Sequence, residues 1–445
     1  MHADWTRADP FSQGGHVDTY TNPETGAVHD YGVAVYFPYE DALDFFTEMN
    51  VTLAFGFPPT GGPATTSRDI DFATGTAVVP GFRDADPASV FGAVGRFHDL
   101  MVARGWDKMT QPGYWNFPTG SDIPSDLLLP IGEFLKKHDI EPMMSRMYPS
   151  TSGGVGSRGG DFSAIATLTL LKSFPTAWVK VLTGEVGMYH VEGGNQRLYD
   201  NIAALLTKTS SVLYNSTVTA TLQRTDSSIS LIATNHKDNT KTLIRAKQLL
   251  LAVPPTRENL APFDLSPQEK THFSKPKYGR SHTGIVSHPA LTPGSSLRNI
   301  PTPAANSTDP LSQFLKTPYV MSLTSYGSNT ELFSLGASGD DYAGFTPEAA
   351  QGLVAGTVGR MVERGTIAAE GEGEGGMMKV VAWSDHGPGG FGVSAEDVRG
   401  GWMRDMYALQ GRRGTWFTGG AVAADFTTTL WKFNDDLLER MVRSS

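Results

Sequence analysis

The sequence predicts a mixed α/β fold in which two domains interleave along one chain. Three observations point there. At 445 residues the chain is too long for one ordinary core. Its texture changes near residue 186, from a helix-patterned middle to a succession of short β-patterned runs. Two glycine pairs, Gly14-Gly15 and Gly419-Gly420, stand beside strand patterns at opposite ends of the chain.

The elements follow in order. Val17, Thr19 and Thr21 alternate ahead of the turn-rich Asn22-Pro23-Glu24-Thr25-Gly26, and Val28 to Tyr36 follows, which predicts a strand pair around a turn. Leu43, Phe46 and Met49 predict a short helix over 38–49, and 51–83 predicts small strands. Helices are expected at Pro87–Gly105, with Val90, Val94, Phe97, Leu100 and Met101 on one face, and at Asp122–His138, interrupted by Pro130. A third is expected over 161–174, so 86–174 reads as a helical insertion. A helix over Asn195–Thr207 buries Leu198, Ile202, Leu205 and Leu206, followed by strands at 211–214, 217–223, 228–234, 241–244 and 247–252. More strands and a helix at Pro347–Arg364 fill 263–385, with a low-complexity loop at 370–376. The chain ends in a strand at Thr415–Thr418, Gly419-Gly420, and a helix over Thr427–Arg443.

Composition excludes several classes. The net charge of −10 argues against a nucleic-acid surface, and no run of ~18 apolar residues is present to span a membrane. Without cysteine there are no disulfides, thiolate nucleophiles or Cys-ligated metals. No HExxH or EF-hand pattern predicts a metal, and no G-x-S-x-G follows a buried strand. Met1 to Trp5 shows neither a basic nor an apolar leader region, so a cytoplasmic location is the default expectation.

A dinucleotide site needs a strand, a glycine loop whose N–H groups approach the pyrophosphate, and a helix N-terminus. Gly154–Gly159 and Gly387–Gly392 match the bare GxGxxG pattern. The first follows a poor strand; in the second, Pro388 removes a donor, and both read as loops. Gly419-Gly420 differs, because it opens from a strand onto a helix carrying about half a positive charge at its start.

GGHVDTY with DYGV (30–33), VEGGNQRLYDNIAALL (191–206), LLLAVPP (249–255) and GTWFTGGAVAADFTTTLWKFNDDLLERM (414–441) occur in that order. Together they resemble the amine-oxidase-like FAD-dependent oxidoreductases, in the branch of β-cyclopiazonate dehydrogenase and a polyunsaturated fatty acid isomerase. The resemblance implies an incomplete Rossmann-like FAD-binding domain built from 1–40, 186–262 and 400–445. It also implies a substrate domain built from 41–185 and 263–399. FAD is the implied cofactor. Gly14, Gly15 and His16 would line its pyrophosphate, and Tyr31, Gly32 and Val33 would lie near the flavin. Val218 would meet the adenine, Gly419, Gly420 and Ala421 would approach the ribityl–pyrophosphate region, and the helix starting near Thr428 would aim at the flavin N1/O2 edge. Relatives carry a βαβ unit with GxGxxG before the first glycine pair. Met1 to Ser12 contains no glycine loop, so that unit is expected to be missing.

With FAD, the implied reaction is hydride transfer from an amine or a hydrophobic secondary metabolite to flavin N5. Trp383, Trp431, Tyr114 and Trp115 are candidate walls of the substrate site, although each also reads as core packing. His190 and His386 are candidate acid–base groups without a partner at helical spacing. Two alternatives stand beside this reading: a flavin-dependent isomerase of unsaturated fatty acids, and a remnant without catalytic function.

Overall fold

The structure is a computed structural model that describes residues 14–58, 66–145, 147–148, 168, 171, 176–209, 212–368, 376–423 and 426–444. It opens with an antiparallel hairpin of β1 (Thr19–Thr21) and β2 (Val28–Asp30), turned by Asn22, whose side chain accepts from the Glu24 N–H. After α1 (Asp44–Glu48), β3 (Leu53–Phe55) pairs far along the chain. Next come β4 (Thr66–Asp71) and β5 (Thr76–Ala77).

The helical stretch begins with α2 (Pro87–Ala103), which Asp86 caps through the Ser89 N–H with proline at its first turn. Val90, Val94, Phe97 and Met101 are its buried stripe. α3 (Trp106–Thr110) and α4 (Ile131–Lys137) pack with it. The helix expected over 122–138 is broken: Pro130 sits at the N-cap of α4, and only short 3₁₀ turns precede it. α5 (Thr176–Leu182) closes this stretch. Most of the helix expected over 161–174, and the glycine loop at 154–159, lie outside the described residues.

β6 (Tyr189–Val191) pairs with β3 and runs into α6 (Gln196–Thr209). β7 (Ser216–Arg224), β8 (Ile229–Asn235) and β9 (Lys241–Ala246) form an antiparallel meander. Residues 212–214, expected as a strand, belong to no strand. β10 (Leu249–Leu251) follows, then α7 (Arg257–Leu260) and α8 (Pro267–Phe273), the latter closed by a capping box between Ser266 and Glu269.

An eight-stranded sheet dominates the remainder. It adds β11 (Lys277–Ser287), β12 (Ser295–Asn299), β13 (Tyr319–Ser325), β14 (Phe333–Gly339), β15 (Lys379–Asp385) and β16 (Gly389–Gly392) to β4 and β5. Its order is β15-β11-β14-β13-β12-β4-β5, with β16 on β11, and only the β12–β4 pairing is parallel. The sequence-level GxGxxG at 387–392 is therefore partly a sheet strand. α9 (Pro347–Glu363) covers the sheet, burying Val354, Val358 and Met361 against Val320, Phe333 and Leu335. α10 (Ala395–Arg399) and α11 (Trp402–Ala408) lead to β17 (Thr415–Phe417), which pairs in parallel with β10. α12 (Thr427–Arg443) ends the chain. No described helix is long and apolar enough to cross a membrane.

Candidate functional site

The first glycine pair starts a loop that folds back on the hairpin. Gly14 and Gly15 adopt φ of +129° and +63°, which suits glycine, and a Cβ on Gly15 would meet no atom within 4 Å. The Val33 N–H donates to the His16 carbonyl at 2.8 Å, and the Tyr31 N–H donates to the Asp18 carbonyl at 2.9 Å. His16, Asp18, Tyr31, Gly32 and Val33 therefore come together from one short stretch of chain. Gly32 has no room for a side chain, since a Cβ would stand 2.2 Å from the His16 carbonyl oxygen.

Asn195 clamps this unit. Its Nδ2 donates to the Val33 carbonyl at 2.6 Å, and its Oδ1 accepts from the Val191 N–H at 2.9 Å. At the start of α6, Asp30 Oδ1 accepts from the Asn195 N–H at 3.0 Å and from Thr19 Oγ1 at 2.5 Å. Burial pushes the Asp30 carboxyl above the usual range, and these donors partly offset it. Gly194, at φ +102°, lets the motif approach so closely that a Cβ would lie 2.6 Å from Thr19 Cγ2. The VEGGN motif is thus built to hold the hairpin.

The same loop meets the eight-stranded sheet. His16 stacks on His386 with ring centroids 4.4 Å apart and planes 12° apart. His386 Nε2 lies 2.8 Å from Asp18 Oδ2. His29, whose pKa burial lowers, packs 4.3 Å from the Tyr326 ring, and Tyr31 packs beside Ile285, Tyr326 and Leu332. On the sheet, Trp383 Nε1 donates to His282 Nδ1 at 3.3 Å, and Gly284 makes room for the indole. Burial lowers the His282 pKa. Burial opposes the charge of Asp385, but the Arg280 ion pair and the Gly387 N–H hold its carboxyl below the usual range.

The second glycine pair lies between β17 and α12. Gly419 has φ +101°, with the Ala252 carbonyl 3.5 Å from an added Cβ, and its own carbonyl accepts from the Val422 and Ala423 N–H groups. Gly420 and Ala421 continue the turn, half-buried. α12 then begins without a side-chain cap at Phe426. Thr428 and Thr429 are buried there, and Thr429 Oγ1 has no hydrogen-bond partner among the described residues. A helix start without a side-chain cap, its dipole and a buried hydroxyl are what an anionic or acceptor-rich ring edge needs. These residues therefore fit a flavin or a phosphate.

The remaining predicted positions are dispersed. Val218 lies on β7 opposite Ala233 and is half-buried in the large core cluster that also receives Ala421. Val33 and Trp431 share one small cluster with Tyr36 and Phe46, which brings α12 beside the first loop. Trp431 packs 4.9 Å from Phe45 and 5.4 Å from Phe46. Tyr114 and Trp115 pack against Tyr407, with Trp115 under Arg440 at 3.9 Å. Of the four aromatics, only Trp383 stands on the eight-stranded sheet. His190 is buried and bonded to the Gly56 carbonyl at 2.9 Å. The expectation for Met1–Ser12 falls outside the described residues. Asp18 was not singled out by sequence reasoning, because its partner is 368 residues away. Asn195 was visible only as a member of the VEGGN motif.

With this geometry in place, the chain shares its fold with a fatty acid isomerase and a cyclohexylamine oxidase, and its homologues are FAD-dependent oxidoreductases. One, from Cochliobolus heterostrophus, is 26% identical over 422 residues, covering 95% of this chain and 82% of the relative. The β-cyclopiazonate dehydrogenase of Aspergillus oryzae is 28% identical over 428 residues, covering 90% and 84% respectively. Among solved structures, a conjugated-linoleic-acid-producing fatty acid isomerase from P. acnes superposes with a TM-score of 0.68 at 18% identity, covering 97% of this chain and 90% of that one. Cyclohexylamine oxidase from Brevibacterium oxydans superposes with a TM-score of 0.53 at 14% identity, covering 96% and 92%. No family model matches the chain.

Proposed function

We propose that this chain is an FAD-dependent oxidoreductase that removes two electrons from a small hydrophobic or amine-bearing metabolite. The observation that carries the reading is the likeness to FAD-dependent oxidoreductases along 90–95% of the chain. When bound, FAD supplies the two-electron acceptor. The chain's own residues bind and orient. Gly14, Gly15, Gly419 and Gly420 bring backbone close to the phosphates, and the uncapped start of α12 with Thr428 and Thr429 receives the electron-rich edge of the ring. Tyr31, Gly32 and Val33 lie along the same loop, and Trp383 offers an aromatic wall from the sheet. The substrate occupies the side of the site formed by the eight-stranded sheet.

The test is a spectrum followed by an oxygen electrode. Purified full-length chain is expected to carry the visible bands of oxidised flavin. Under air it should consume oxygen with cyclohexylamine or a related hydrophobic amine. A colourless protein that takes up no added FAD would refute the reading. A yellow protein that converts linoleate without consuming oxygen would instead establish an isomerase, in which the hydride returns to the substrate.

A further inference from the structure

The seam between the Gly14-Gly15 loop and the eight-stranded sheet holds a histidine whose surroundings are more than packing. His386 follows β15, and its N–H donates to the Ser281 carbonyl of β11 at 2.8 Å, so main-chain pairing fixes where the ring starts. Nε2 lies 2.8 Å from Asp18 Oδ2 and 3.4 Å from Thr283 Oγ1. An ionised carboxylate only accepts, so Nε2 carries the proton and donates. In the neutral ring, Nδ1 is then the basic lone pair. Nδ1 makes no hydrogen bond to any described residue, and the side chain keeps 10% of its surface exposed.

Among the described residues, the charged and titratable groups that face this ring come from β11, β15 and the Gly14-Gly15 loop. On β11, Arg280 is paired with Asp385 of β15, and burial holds His282 towards its neutral form. From the opposing loop come Asp18, in the ion pair, and the exposed His16, which stacks on the ring face.

We propose that Asp18 and His386 form the proton-accepting dyad of the oxidoreductase, with His386 Nδ1 as the base and Asp18 as the positioning residue that fixes its tautomer. The proposal rests on the oxidoreductase reading above. In the oxidation of an H–C–N–H group, the carbon-bound hydrogen leaves with both electrons as hydride to FAD, the acceptor. The nitrogen-bound proton goes to His386 Nδ1 and a C=N bond forms. The products are imine, reduced flavin and an imidazolium paired with Asp18, so atoms and charge balance.

The test uses full-length protein labelled with ¹⁵N in its histidines, with the His386 resonances assigned by their loss in His386→Gln. The neutral wild-type ring should be protonated on Nε2. In Asp18→Asn that preference should be lost, because an amide can donate as well as accept. A wild-type ring protonated on Nδ1, or a tautomer that Asp18→Asn leaves unchanged, overturns the proposal. Anaerobic bleaching of the flavin by cyclohexylamine gives the second readout. It should slow by about 10²-fold or more in His386→Gln. In Asp18→Asn it should slow as well, at unchanged flavin content, because the base is no longer held in one tautomer. A structural latch would lower the melting temperature and leave the tautomer and the bleaching rate in place. Should a variant fail to fold, the wild-type tautomer still decides. A colourless wild-type chain sinks the oxidoreductase reading, and the histidine resonances separately report whether Asp18 creates a basic Nδ1.

Discussion

Gly32 and Gly194 owe their identity to what occupies the space of a side chain. A Cβ on Gly32 would lie 2.2 Å from the His16 carbonyl oxygen and 2.9 Å from the Asp18 N, both main-chain atoms that no rotamer change can move. At Gly194 a positive φ and the Thr19 methyl 2.6 Å away add together. Gly32→Ala and Gly194→Ala are expected to cost about 2–3 kcal/mol each. Gly95 in α2 and Gly352 and Gly359 in α9 are the opposite case, helical and with no atom within 4 Å of an added Cβ. Alanine at these three should raise stability by about 0.5–1 kcal/mol each through helix propensity. Urea unfolding of the five variants checks the sign at every position. A uniform effect across the two groups would show that close approach is not what fixes the glycines.

Arg224 at the end of β7 joins three elements. Its guanidinium is fully buried, pairs with Glu269 of α8, and donates to Thr415 Oγ1 at 2.7 Å and the Phe263 carbonyl at 2.9 Å. Glu269 also closes the capping box of α8, accepting from the Ser266 N–H at 2.8 Å. Glu269→Gln removes the charge that compensates a buried cation, so it should cost about 3–5 kcal/mol. Ser266→Ala, which removes only a cap, should cost about 1 kcal/mol. Equal losses in chemical denaturation would show that the pair contributes no more than the cap. None of this triad was readable in sequence, since α8 is short and its partners lie on other elements. The long helices were readable, because a buried stripe and an N-cap are local facts: α2, α6, α9 and α12 begin and end close to the expected positions. The stretch 122–138 carried the right periodicity, but Pro130 lacks the N–H needed to continue a helix. The pairing of β4 with β12 could not be read at all, because register between distant strands is set by tertiary packing.

At the scale of the molecule, the site was half legible for the same reason. His16, Tyr31, Gly32 and Val33 lie within one hairpin, whereas the Asp18–His386 contact exists only once the loop docks on the sheet. Acidification tests such long-range assembly through its buried histidines. His272 of α8 stacks on Trp402 of α11 at 4.4 Å, its Nε2 is buried without a partner among the described residues, and burial lowers its pKa to about 4. A depressed histidine pKa means that the unfolded chain binds the proton first. Its contribution is fully present above about pH 6.5 and is lost as pH falls towards 4. Burial lowers the His29 pKa in the same direction. Asp30 opposes them, because its raised pKa favours the folded state on the acid side and loses that contribution as pH rises. The net charge of −10 also opposes them, since acidification relieves self-repulsion. That repulsion is spread over the surface and screened within about 10 Å at 0.1 M salt, while the His272 ring is desolvated. The local effect, on the order of a few kcal/mol, should therefore win. Thermal melts are expected to fall between pH 7.5 and 4.5. His272→Phe keeps the stack on Trp402 and removes the titration, so it should flatten that fall. A wild-type midpoint that rises on acidification would assign control of acid stability to surface charge, and a fall that His272→Phe leaves unchanged would assign it to other groups such as His29 and Asp385.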